Sequence, residues 1–300
     1  MSPTSIDIRS HQVTFPADDH RELHGTLYEP TGTPQGAVVI AGAVATRSHW
    51  YAPLAACLAD HGFATLIFDY RGNTDLKSMQ AEDGDALRWG GDAASALEHL
   101  LEVVPSVPVT WIGHSFGGQM LPFSRHDLVD KVILVATGSG YWRWLNPRVR
   151  WAAPIIFGAV VPFAIRVAGY FPGRRLGVVG DAPANVMRQW SRWCLSPDYV
   201  GIDVRSFRER ASLVTVPVLA ISMADDDLIT ERSSEEAEGW FDACPIERIR
   251  LSPEDVGVES IGHGGFFRPA MHSWWETELV PQLPRTSRRP SAPATLNAEE

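Results

Sequence analysis

The chain has 300 residues, 45% hydrophobic and 21% charged, enough to bury a sizeable core in one large domain or one domain with an insertion. Its net charge of −10, with no basic patch interleaved with aromatics, excludes nucleic acid as an expected partner. Three widely spaced cysteines (Cys57, Cys194 and Cys244), no C-x-x-C pair, no histidine-rich cluster and no apolar leader predict reduced thiols, no metal, no cofactor and a cytoplasmic location.

In chain order, residues 12–15 and 23–28 read as an opening antiparallel pair. A buried strand at 36–40 runs into the small residues Ala41, Gly42, Ala43, Val44 and Ala45. Residues 50–61 have helical spacing, 64–68 form a buried strand, and 87–103 an amphipathic helix. The apolar run 107–112 ends in Gly113-His114-Ser115-Phe116-Gly117, and 119–125 can begin a helix. A strand at 131–136 follows. The alternation then breaks between 139 and 199, where Trp142, Trp144, Trp151, Trp190 and Trp193 cluster. A strand at 216–222, a helix at 231–241, a strand at 247–251, His263 and a helix through Trp274-Trp275 complete the pattern. Residues 283–300 are expected to be a disordered tail.

This order predicts the α/β class: a mostly parallel sheet with helices on both faces, its core at 1–138 and 200–282, and an inserted helical cap at 139–199. Residues 151–170 are long enough to span a bilayer, but Pro154, Pro162 and Arg166 interrupt them. They are expected to be a cap helix, with contact to membrane or lipid the lesser expectation.

Chemistry enters at Ser115. A G-x-S-x-G between strand and helix sets the serine on a turn too sharp for side chains two residues either side. A serine hydroxyl is a weak nucleophile until a base takes its proton, and the base needs a carboxylate to hold its tautomer. The chain supplies these in the order serine, acid, histidine: Asp225, Asp226 and Asp227 end the strand at 216–222, and His263 lies later between glycines. Other histidines fit less well. His11, His20 and His24 precede the serine, and His126 and His272 fall at or inside predicted helices. Two backbone N–H groups would receive a developing oxyanion: that of Phe116, and that of Ala43 or, as the alternative, Val44.

These residues together resemble the α/β-hydrolase superfamily over roughly the first 282 residues. Phe68-Asp69-Tyr70-Arg71-Gly72 is similar to its D-x-R-G turn, which implies a structural Asp69. In similar hydrolases the acid stands four residues before the Pro or Thr that opens the next helix. Thr230 is that residue here, which favours Asp226. Gly140-Tyr141-Trp142, Trp190-Ser191-Arg192-Trp193-Cys194 and the run from Gly262 to Arg268 are similar to a largely uncharacterised group of bacterial predicted hydrolases. The resemblance implies the fold and a Ser115–His263–Asp226 triad, with no substrate attached. The expected activity is hydrolysis of a carboxylic ester or thioester of a small apolar acyl substrate, the aromatic cap shaping its pocket or else gluing cap to core. The alternatives are an acyltransferase, cyclase or lactonase with the same triad, or a non-catalytic ligand-binding protein.

Overall fold

Alternate residues of each apolar run face opposite sides of one sheet, so both sides must be covered. In the computed structural model, which describes residues 9–286, ten strands occur: β1 (Arg9–Pro16), β2 (Glu22–Glu29), β3 (Gly36–Ala41), β4 (Phe63–Asp69), β5 (Val109–His114), β6 (Lys131–Val135), β7 (Tyr170–Phe171), β8 (Ala182–Pro183), β9 (Val218–Met223) and β10 (Ile246–Leu251). Eight of them form the main sheet in the order β1-β2-β4-β3-β5-β6-β9-β10. The β1–β2 and β2–β4 pairs are antiparallel and the rest parallel.

Val39 and Trp111 point into one core cluster, Val38, Ile40 and Ile112 into the other. The helix Ala86–Val103 covers the first face, with Trp89, Ala93, Ala96, Leu97 and Leu100 buried at helical spacing. Asp85 opens it, accepting the N–H groups of Leu87 and Arg88. The helix Ala52–Asp60 covers the second face. Fully burying one such aromatic or aliphatic side chain contributes about 1.5–3 kcal/mol, so the two faces carry most of the stabilisation.

Register brings the C-terminal strand ends level. Ala41 pairs with Gly113, His114 with Val135, and Val135 with Ile221. The loops after β3, β5 and β9 therefore leave the same edge, where ligands of open parallel sheets bind.

The predicted helix at 119–125 differs. Here the helix is Phe116–Gln119, and Leu121–Phe123 is a single tight turn. Pro122 is the reason: it lacks an N–H and its ring clashes with the carbonyl four residues back. Nor does the expected tail begin at 283. Leu283 is buried, and Thr286 donates its N–H to the Gln35 carbonyl at 2.8 Å. Residues 287–300 lie outside the described residues.

Between β6 and β9 the chain forms short helices and the β7–β8 ribbon. Helical turns run without interruption through Ala153–Ile155, a π turn at Ile156–Val160 and Val161–Ala168. The β7–β8 ribbon and the helix Ala184–Leu195 follow. Among the described residues no helix is long and apolar enough to cross a membrane.

Candidate active site

Ser115 leaves β5 with φ 50° and ψ −110°, a backbone conformation that disfavours any side chain. Neighbouring glycines make this turn buildable. A methyl group at Gly113 would stand 2.5 Å from the Cα of Gly118, and one at Gly117 would collide with the Ala41 carbonyl. Ser115 faces a cavity of about 510 Å³, which His263 also lines. Its hydroxyl makes no hydrogen bond to the described residues.

Of the three aspartates, Asp226 meets the histidine. Its Oδ2 lies 2.8 Å from His263 Nδ1, and its Oδ1 accepts the N–H groups of Leu228 and Ile229, each at 2.8 Å. The carboxylate is buried and held by three donors, so it can fix the ring's tautomer. Thr230 caps the helix Glu231–Glu238, as its place in the sequence predicts.

Asp225 serves the same loop differently. It accepts the N–H groups of Ile261 (2.9 Å) and Gly262 (3.0 Å) and the Ser260 hydroxyl (2.9 Å). Burial pushes its carboxyl up, but these donors outweigh burial and hold it below its ordinary value. Gly262 has φ 60°, the left-handed turn that delivers His263 into the cavity. Asp227 is exposed and lines the cavity. Asp69 ties β4 to the loop after β3 by accepting the Ser48 N–H (2.8 Å) and hydroxyl (3.0 Å).

The oxyanion donors divide. Phe116 begins its helix, so its N–H has no intrahelical partner. Its ring is anchored edge-on to Tyr70 and Trp89. Ala43 does not fit its expected role. Its N–H donates to the Tyr51 hydroxyl at 2.8 Å and is therefore already committed. Val44, the expected alternative, also lines the cavity, and its N–H bonds to none of the described residues. Phe116 and Val44 thus keep open N–H groups in the loops after β5 and β3.

Sequence reasoning missed the buried chain behind this site. The Tyr51 hydroxyl, having accepted from Ala43, donates to His114 Nδ1 at 2.9 Å, and His114 Nε2 donates to the His263 carbonyl at 3.1 Å. These partners assign His114 as the neutral Nε2–H tautomer. The chain ties the loop after β3, the end of β5 and the histidine loop together. Only His114's place inside G-x-S-x-G hinted at it.

Burial, and secondarily the nearby His263 ring, push the His114 pKa from 6.5 down to about 3. The sign follows. An unfolded chain takes up a proton below pH 6.5 that native His114 refuses until about pH 3. This stabilisation is complete above pH 6.5 and is lost as pH falls toward 3. Thermal melts across this window should therefore show a steeper acid loss in the unaltered chain than in His114→Gln. The difference should be on the order of a few kcal/mol. Parallel pH profiles would refute the assignment.

The cavity lining is mixed. Val44, Val149, Val178, Val179, Leu228 and Trp190 are apolar, whereas Arg47, His49, Arg174 and Asp227 are polar. Of the five cap tryptophans only Trp190 lines it. Its indole donates to the Tyr199 hydroxyl, which donates to Gln119 Oε1, each at 3.0 Å. Trp193 is fully buried and donates to Asp203. Of the five, Trp190 and Trp193 are buried, Trp142 and Trp144 are half-buried and Trp151 is exposed.

A mostly parallel eight-stranded sheet, a strained serine after the central strand and an acid–histidine pair after later strands are the architecture of the α/β-hydrolase fold. Residues 32–167 match the family described as serine aminopeptidase, S33. No curated protein matches the sequence. Among solved structures the chain is similar in fold to a thermostable carboxyl esterase from Bacillus coagulans, with 13% identity over 91% of this chain and 97% of that one and a TM-score of 0.62. An esterase of Pyrococcus furiosus has 13% identity over 92% and 91%, with a TM-score of 0.58. An acylaminoacyl peptidase of Pyrococcus horikoshii has 16% identity over 92% of this chain but 41% of its own length, with a TM-score of 0.57.

Proposed function

We propose that the chain hydrolyses a carboxylic ester or thioester through an acyl-enzyme on Ser115. The observation that carries this reading is the buried Asp226–His263 bond at the mouth of a cavity into which the strained Ser115 faces. Ser115 Oγ attacks the carbonyl carbon while His263 Nε2 takes its proton. Negative charge gathers on the carbonyl oxygen, where the N–H groups of Phe116 and Val44 receive it. One such preorganised donor contributes roughly 3 kcal/mol to lowering the barrier. Asp226 stabilises the imidazolium, which then protonates the leaving alcohol or thiol. Water, deprotonated by His263, attacks the acyl-enzyme, and collapse returns the carboxylic acid and free Ser115.

The valine, leucine and tryptophan wall suits an apolar acyl group, with the leaving group lying toward Arg47, His49 and Arg174. The described cysteines are all unpaired thiols, which suits the cytoplasm as its location.

A p-nitrophenyl ester series from two to sixteen acyl carbons tests the reading. The expected result is turnover with an optimum at medium chain length, set by the cavity. A folded protein inert on every ester would overturn it and favour acyl transfer, cyclisation or ligand binding.

A further inference from the structure

The helical stretch at 153–168 buries Ala153, Phe157, Val161 and Ile165 and turns its other side to solvent. That side is apolar. Trp151 is 69% exposed, Ile155 65%, Phe163 72% and Val167 73%, while Leu176 and Val178 add exposed apolar surface just beyond. Single exposed apolar residues are ordinary, but Ile155, Phe163 and Val167 on one helical stretch, with Trp151, Leu176 and Val178 flanking it in sequence, mark a contact surface.

Charge identifies what it contacts. Residues 139–180 hold six arginines, Arg143, Arg148, Arg150, Arg166, Arg174 and Arg175, and no lysine, aspartate or glutamate. This stretch is +6 in a chain of −10, leaving −16 elsewhere. None of the six forms an ion pair among the described residues, whereas Arg71, Arg125, Arg192, Arg208 and Arg248 all do. Arg166 sits three residues after Phe163 and one before Val167, on the exposed side of the helix, and the Arg150 guanidinium lies 4.8 Å over the Trp151 ring. An apolar helical face rimmed by unpaired arginines and tryptophan is the pattern of an interfacial helix, its apolar side among acyl chains and its cations at headgroup phosphates.

We infer that this cap face docks on an anionic phospholipid bilayer. The acidic remainder of the chain is repelled by the same surface, which orients the molecule cap-down. The active-site cavity opens at the edge of this face, because Val149, Arg174 and Val178 line it. A docked molecule therefore presents the Ser115 cavity to the lipid.

Co-sedimentation of the full chain with vesicles tests this, using phosphatidylcholine alone and phosphatidylcholine mixed with phosphatidylglycerol. Partition should be roughly tenfold or more higher on the mixed vesicles, the effect of one or two arginines near an anionic surface, and should weaken with salt. Phe163→Glu with Val167→Glu should abolish it while leaving turnover of a short ester in solution and the thermal midpoint unchanged. Arg166→Glu with Arg175→Glu should remove only the preference for phosphatidylglycerol. Absence of partition, equal partition on both vesicles, or partition indifferent to these variants would overturn the inference. So would a vesicle-free dimer that Phe163→Glu converts to monomer, since the face would then belong to a second copy.

Discussion

Replacing Ser115 by alanine is expected to lower turnover of a p-nitrophenyl ester by a factor on the order of 10⁶. The substitution deletes the only atom that forms the covalent bond and leaves the rest of the site standing. Asp226 still holds His263 at 2.8 Å, and the Phe116 and Val44 N–H groups still lack partners among the described residues. Oxyanion stabilisation and substrate binding alone therefore set the residual rate, which stays above that of water. Alanine has a Cβ like serine, so the strained φ of 50° is no worse satisfied, and the thermal midpoint should stay close to that of the unaltered chain. Steady-state kinetics beside a melt separate the two effects. Full activity in Ser115→Ala would remove the acyl-enzyme mechanism.

The second large effect belongs to Asp226. Asp226→Asn should lower kcat about 10⁴-fold, because an amide facing Nδ1 no longer demands the tautomer with its proton there, nor stabilises the imidazolium. Asp225→Asn acts through position alone. It disturbs the bonds to Ser260, Ile261 and Gly262 that hold the histidine loop, and a displacement of about 1 Å costs on the order of 10². Asp227→Asn, exposed at the cavity wall, should leave kcat within a few-fold and act, if at all, on KM. The order of losses is the test. A greater loss at 225 or 227 than at 226 would show that the 2.8 Å Asp226–His263 contact is not the working pair.

The two predictions differ in how far the chain alone announces them. Ser115 is legible because the elbow is local: close strand–helix passage forces glycine at 113 and 117, and those glycines stand in the sequence. Asp226 needed the offset to Thr230, again a local matter of where a helix starts. The oxyanion loop shows the opposite case. Five small residues follow β3, and nothing among them says which N–H is free. That is decided by a tyrosine eight residues on, whose hydroxyl reaches Ala43 only after the 48–51 turn folds back under the loop.

Composition, glycine spacing and the order of apolar runs determined the α/β class, the parallel sheet, the elbow and the chain order of serine, acid and histidine, because each depends on residues near one another in sequence. Tertiary structure alone decided the rest. It committed the Ala43 N–H to Tyr51, built the Tyr51–His114–His263 chain, and buried Trp190 and Trp193 while leaving Trp151 exposed. It also turned Phe163, Val167 and Arg166 outward. Those outcomes depend on which groups from distant segments meet and compete for one donor or one surface. A one-dimensional pattern does not encode that competition, which is settled only when the strands come into register and the cap closes over the sheet's edge.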